Sequence, residues 1–226
     1  PTDRKEEDLL SIIPKDRQKS YEMRDVIRKV FDKDSFFEMT KSFGRGIITG
    51  FARLDGFSVG ILANDSNFYA GSMSADGARK TTRFVKLCGT FHIPIVSLVD
   101  EPGFLIGPEA ELEATILHGT EAVLAVTESN VPWSSIMIRK SFGVAAAAHY
   151  GPEGYVLAWP SAESGPLPLE GGVAVAFKKE IATAKDPEAK RKEIEESMVK
   201  LQNPFPRAES FSVHEIIDPR DTRKYL

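Results

Sequence analysis

The chain has 226 residues, 42% hydrophobic and 27% charged, with 29 Lys and Arg against 33 Asp and Glu for a net charge of −4. This fits one or two ordinary globular domains, and the mild acidity argues against a nucleic-acid binder held by phosphate contacts. The longest uncharged stretch, Leu87–Val99, is 13 residues, short of the about 20 a membrane span needs, and the single cysteine excludes an internal disulfide framework and a multi-cysteine metal site.

The opening run Pro1-Thr-Asp-Arg-Lys-Glu-Glu-Asp8 is charged and lacks an apolar signal region, so a cytoplasmic or organelle-matrix setting is expected. The sequon Asn64-Asp65-Ser66 then reads as chance. Charge is uneven: residues 1–34 hold 18 charged groups, 178–226 hold 21, and the long middle from Phe43 to Phe177 also holds only 21. A buried centre between two solvated arms is expected.

In chain order, Tyr21–Asp34 predicts an amphipathic helix, with Met23, Val26, Ile27, Val30 and Phe31 on one face. Ile47–Leu54 and Phe57–Ala63 flank Asp55-Gly56 and predict a hairpin. Ser74–Phe91 predicts a helix with Ala78, Phe84, Val85, Cys88 and Phe91 inward. Pro94–Val99 predicts a buried parallel strand ending at Asp100-Glu101-Pro102-Gly103. Glu109–Ser129 predicts a second helix, carrying Leu112, Ile116, Val123 and Val126. Trp133–Ile138 predicts a strand ending at Arg139-Lys140-Ser141-Phe142-Gly143, followed by an alanine-rich helix, Val144–Tyr150, and a strand, Tyr155–Trp159. Pro187–Leu201 predicts a charged helix on the surface or against a neighbour. Alternating strands and helices imply an α/β fold with a mostly parallel sheet. Ligands in such sheets sit outside the carboxyl ends of the strands.

Side-chain chemistry is sparse. Gly56-Phe-Ser-Val-Gly60 spells a nucleophile elbow but lies within a hairpin strand, where its serine is not presented on a strand-to-helix turn. Gly44-Arg-Gly46 and Gly50 are one residue off a dinucleotide fingerprint and lead into a strand. His92, His118, His149 and His214 have no ligand spacing, so no metal is expected, and Cys88 reads as an inert core thiol. Glu109, Glu111 and Glu113 share no helical face and read as acidic residues near a helix N-terminus. What remains is main chain. Lys140-Ser-Phe-Gly-Val-Ala-Ala-Ala-Ala-His149 is a strand end, a glycine and small residues. First-turn amides lack intrahelical partners and can stabilise a developing oxyanion. The same alanines equally suit a helix packed tightly on a sheet.

The sequence resembles the C-terminal half of the carboxyltransferase subunit of biotin-dependent acyl-CoA carboxylases, of the propionyl-CoA carboxylase β and transcarboxylase type. The matching stretches are Tyr21-Glu-Met-Arg-Asp-Val-Ile, Gly44-Arg-Gly-Ile-Ile-Thr-Gly-Phe-Ala-Arg-Leu-Asp-Gly56 and Arg83-Phe-Val-Lys-Leu-Cys. Ile93-Pro-Ile-Val-Ser-Leu-Val-Asp-Glu-Pro-Gly-Phe104, His118-Gly119, Val131-Pro132 through Arg139-Lys140 and Glu215-Ile-Ile-Asp-Pro-Arg-Asp-Thr-Arg223 also match. The resemblance implies a ClpP/crotonase-type spiral fold with βα crossovers and flanking helices. It places a linker and amphipathic helix in residues 1–34 and a crotonase-like carboxyltransferase domain in 35–226. Because the start coincides with the family's inter-domain linker, it implies either an excised domain or a subunit whose other half is a separate chain.

The implied activity is a half-site that binds carboxybiotin on a carrier protein and transfers its carboxyl group to or from an acyl-CoA. The acyl-CoA-binding N-terminal half comes from another domain or subunit of an oligomer. The family holds the ureido oxyanion with amides of a Gly-Gly-Ala turn, and no metal or protein nucleophile is needed. That turn reads Gly143-Val144-Ala145 here, which assigns the donors to Val144 and Ala145, with Gly143 permitting the turn. Ala146 and Ala147 replace a frequent Tyr-Asp pair, implying a roomier and less polar acyl pocket, and Leu117 stands where Arg is common. Pro102, Gly103, Phe104, Ala70 and Gly71 are secondary candidates for the pocket wall. Two rivals remain: a stand-alone crotonase-like enzyme without biotin, which requires a carboxylate beside the Val144 amide, and a non-catalytic scaffold subunit.

Overall fold

The computed structural model describes residues 4–226, apart from the side chains of residues 170, 171, 174 and 175. Helix α1 (Met23–Val30) is shorter than the predicted span and buries Met23, Val26, Ile27 and Val30. The Glu22 side chain caps it by accepting from the Arg24 N–H. Far from forming a solvated arm, α1 packs in the larger core with Ile48, Ile61, Leu98, Ile136 and Trp159.

Strands β1 (Phe37–Met39), β2 (Ile47–Leu54) and β3 (Phe57–Asn64) are antiparallel neighbours. At the β2–β3 hairpin Asp55 and Gly56 both take positive φ, 51° and 86°, the geometry that favours Asp-Gly in two-residue turns. Helix α2 (Ala75–Phe91) is capped by Ser74, whose Oγ accepts from Gly77 N–H at 3.1 Å. It leads to β4 (Ile95–Glu101), buried along its whole length.

Helices α3 (Pro108–Leu112) and α4 (Thr115–Thr127) replace the single helix predicted over 109–129, because Ala114 between them turns left-handed at φ 55°. Strand β5 (Trp133–Phe142) runs four residues beyond its predicted end. The alanine-rich segment forms only a short 3-10 helix, Ala145–His149. Then come β6 (Tyr155–Ala158), β7 (Glu163–Gly165), α5 (Leu169–Ala176), α6 (Lys178–Thr183), α7 (Pro187–Gln202) and α8 (Pro204–Glu209). Strand β8 (Glu215–Ile216) and α9 (Thr222–Tyr225) close the chain.

The sheet order is β1-β2-β3-β4-β5-β6-β8, parallel from β3 onward. Strand β5 is long enough to serve two neighbours on one edge: Ser134–Met137 pairs β6, and Lys140–Phe142 pairs β7. Alternation along the strands sorts side chains to two faces. Ile48, Ile61, Leu98 and Ile136 meet α1, while Ile47, Leu62, Ile95 and Trp133 meet α2 and α4. Phe91, predicted to face inward, is 66% exposed, and Leu112 and Ile116 of the second predicted helix are 89% and 61% exposed. The break at Ala114 puts Leu112 and Ile116 on different helices.

Candidate functional site at the ends of β4 and β5

The parallel strands bring two acidic and two basic residues together where they end. Register shifts between Val99 and Glu101, so that Glu101 stands beside Ser141. Asp100, with no exposure, accepts a two-point hydrogen bond from Arg139, Nε to Oδ1 at 3.1 Å and Nη2 to Oδ2 at 2.9 Å. It also accepts from the Lys140 N–H at 3.0 Å. The Arg139 guanidinium lies 4.8 Å from the Tyr21 ring centroid and donates to Lys19 O, at 2.8 Å. Burial, reinforced by Asp100, pushes the Tyr21 phenol well above its ordinary value.

A second buried chain runs from β3 to the 3-10 helix. Asn64 accepts from Asp100 N–H and donates through Nδ2 to Gly71 O and to Glu101 Oε2, at 3.0 and 2.9 Å. Glu101 Oε2 is 3.5 Å from His149 Nε2, and His149 Nδ1 is 2.9 Å from Ser97 Oγ. Burial pushes the Glu101 carboxyl up against the pull of His149. The His149 carbonyl accepts from Trp133 Nε1 and Ser135 Oγ. The far end of the 3-10 helix is thereby pinned to β4 and β5 from several sides. The same bonds bury the Asn64 amide completely, which removes the sequon from any surface.

The near end of that helix is the predicted turn. Gly143 takes φ 63° and donates its N–H to Gly165 O at 3.1 Å, across to β7. A side chain there is strained in the left-handed region. The positive φ falls on Gly143 alone. Val144 is right-handed at φ −70°, ψ −31°, so its β-branch carries no penalty. Val144 is 70% exposed, and its N–H has no acceptor among the described residues. The Ala145 N–H also has none, but Ala145 has no accessible surface. The two readings of the alanine run divide its residues between them. Ala145 and Ala148 pack into the core beside α4, whereas Ala146 and Ala147 line a cavity.

That cavity, about 380 Å³, has Gly143, Ala146, Ala147, Tyr150, Ser164 and Arg207 in its wall. Ala146 and Ala147 present methyl groups to it, and α8 brings Arg207 to it. Tyr150 Oη is 2.7 Å from Ser141 Oγ, and burial pushes the phenol up to about 12. Among the described residues lining the cavity none is Asp or Glu.

The secondary candidates meet one another rather than this cavity. Met73 donates its N–H to Gly103 O at 3.1 Å, and Leu105 donates back to Met73 O at 2.9 Å. A side chain on Gly71 would strike the Asp100 carbonyl at 2.9 Å. The Phe104 ring fills the space over Gly119, where a Cβ would lie 2.3 Å from it. Pro102, Gly103, Phe104, Ala70 and Gly71 thus form the loops above β3 and β4, and none is in the cavity wall. Arg139, His149 and Glu101 were missed as positioning residues, although the strand ends that carry two of them were visible. Arg207 had no local signal.

Elsewhere, Ser58 of the elbow pattern lies in β3, and Cys88 is buried with its thiol pushed up to about 12 by burial. Among the described residues, no group of three or more His, Cys, Asp or Glu is placed to hold a metal ion, and no helix is long and apolar enough to cross a membrane.

A mostly parallel sheet with helices on its faces and a glycine turn at the end of a buried strand is a crotonase-like architecture. The chain belongs to the carboxyl transferase family, whose domain matches residues 1–226. It is 38% identical over 225 residues to the propionyl-CoA carboxylase carboxyltransferase subunit of Haloferax mediterranei, covering 97% of this chain and 43% of that one. The methylmalonyl-CoA carboxyltransferase 12S subunit of Propionibacterium freudenreichii is 38% identical over 223 residues, with the same coverage. The solved transcarboxylase 12S, a hexamer with methylmalonyl-coenzyme A and methylmalonic acid bound, superposes with a TM-score of 0.91 at 36% identity. It is matched over 99% of this chain and 44% of its own. The chain therefore corresponds to less than half of these relatives, and to one of their two halves.

Proposed function

We propose that this domain supplies the biotin-facing half of a carboxyltransferase site, completed by an acyl-CoA-binding half from another domain or subunit. The observation that carries the reading is the Gly143 turn. A left-handed glycine at the end of β5 leaves the Val144 N–H without an acceptor among the described residues, on an exposed residue whose neighbours line a cavity. The lack of a carboxylate in the described cavity wall disfavours a stand-alone acyl-CoA enzyme using an acid or base there.

Carboxybiotin on a carrier protein supplies the carboxyl group when bound. The chain contributes geometry and dipoles. Val144 N–H is the donor offered to the ureido oxygen, in a fixed direction that needs no reorganisation as charge develops. Ala145, buried, anchors the turn in the core. Asp100 with Arg139 and Glu101 with His149 hold the strand ends and the far end of the 3-10 helix. The partner half and further subunits have an apolar surface to use: Leu112, Ile116, Leu117 and Leu124 on and beside α4 are each more than half exposed. A cytoplasmic or matrix setting belongs to the same proposal.

Val144→Pro tests it. Proline suits φ −70° and removes an N–H that has no acceptor among the described residues; an unchanged melting temperature shows that its ring leaves the Gly143 turn in place. In an assay of carboxyl exchange between a biotin carrier and acyl-CoA, with the acyl-CoA half present, Val144→Pro is expected to lower the rate by roughly 100- to 1,000-fold. Val144→Ala, which keeps the amide, stays within a few-fold. Equal rates for both variants would remove the amide from the mechanism.

A further inference from the structure

The cavity beside the Gly143 turn holds a positive charge that the fold leaves unmatched. Arg207, itself half-buried, lines it, and its Nε is buried with no hydrogen-bond partner among the described residues. No carboxylate of the described wall answers it, and Ala146 and Ala147 present only methyl groups. The other polar groups facing the cavity are hydroxyls, those of Tyr150, Ser141, Ser164 and Ser212. Tyr150 stays protonated at neutral pH and feels the Arg207 charge. A buried charged donor without an acceptor is costly, and native structures rarely leave one so. The acceptor that suits a guanidinium fork is a planar carboxylate bound at two points. At about 380 Å³ the space holds such a group with several carbons behind it.

We propose that this cavity is a carboxylate subsite, in which Arg207 grips the carboxylate and the Tyr150 hydroxyl adds a hydrogen bond. The subsite stands on the cavity itself. Only the source of the carboxylate rests on the function proposed above. It is either the carboxyl group in transfer or a second carboxylate at the far end of the acyl chain.

The first measurement does not need activity. In the assembled enzyme, tens of millimolar glutarate is expected to raise the melting temperature of the wild type above that in sodium chloride of matched ionic strength. It should not do so for Arg207→Met, and 1,5-pentanediol should do so for neither. The second measurement is carboxyl transfer with glutaryl-CoA and with uncharged butyryl-CoA. A roughly 30-fold rise in KM for glutaryl-CoA alone in Arg207→Met assigns the subsite to the acyl chain. A similar fall in kcat/KM for both assigns it to the transferring group. Arg207→Lys, which keeps the charge without the fork, recovers part of either effect, as a merely structural arginine would not. A glutarate shift without transfer by the wild type keeps the subsite and sinks the carboxyltransferase reading. The subsite is overturned if glutarate shifts the wild type no more than Arg207→Met, or if the wild type transfers and Arg207→Met leaves both substrates unchanged.

Discussion

Two unlike regions border the cavity, one giving Ser141 of β5 to its wall and the other Arg207 of α8. On one side, the ends of β4 and β5 are fixed by side chains with almost no exposure: Asp100, Glu101, Arg139 and His149 each have several partners or a charged neighbour. On the other, α7 and α8 bury few residues, chiefly Ile194, Gln202 and Pro204. The charges of α7 pair along its exposed face, as Arg191 does with Glu195 at 2.8 Å. The Gly143 turn, proposed to aim an N–H, is built on the first region. Arg207, proposed to grip a carboxylate, hangs from the second. Precision comes from buried polar bonds, which are costly to break, and variety from a surface helix, whose substitutions disturb little.

The largest expected effect attacks the fixed wall. Arg139→Met leaves Asp100 buried without its cation, and should cost about 3–5 kcal/mol, seen as a fall in melting temperature on the order of 10 °C. A loss below 1 kcal/mol would mean that this wall is no firmer than the other. Gly143→Ala comes next. No atom stands closer than 3.5 Å to the added Cβ, so the cost is backbone strain alone, about 1–2 kcal/mol in denaturant unfolding, with transfer lowered because the Val144 N–H is re-aimed. On the opposite side, Arg191→Ala should change unfolding by less than about 0.5 kcal/mol; a larger loss would show that α7 is held by its charges. The smallest effect lies at Asp218. Its side-chain and backbone hydrogen bonds from Arg220 lower the carboxyl from 3.8 to about 2. A lowered acid contributes stability that is fully present above about pH 4 and is lost as pH falls through about 2. The melting-temperature gap between wild type and Asp218→Asn should therefore shrink between pH 5 and pH 2. A gap that stays constant would place the interaction outside the charge.

Periodicity and turn chemistry told most of the fold. The hairpin at Asp55-Gly56, the parallel strands β4 and β5 and the inward face of α2, apart from Phe91, were legible because each is a local pattern of burial or φ. The break at Ala114 was not, since alanine gives no sign that it will turn left-handed. The short C-terminal strand β8 was hidden for another reason: two residues cannot show a period. At the site, Gly143 was legible as a strand-end glycine before a run of small residues. The division of labour among the alanines was not, because packing against α4 decides which two face the cavity.

Sequence alone determined the α/β class, the paucity of reactive side chains and the position of the glycine turn. These follow from spacing and composition, which act over a few residues. Tertiary structure alone decided that Asp100 would face Arg139, that Glu101 would stand beside His149, and that Arg207 would reach a turn some sixty residues before it. Such meetings depend on strand register and helix docking, where the free energy belongs to pairs of distant residues and leaves no trace in either segment by itself.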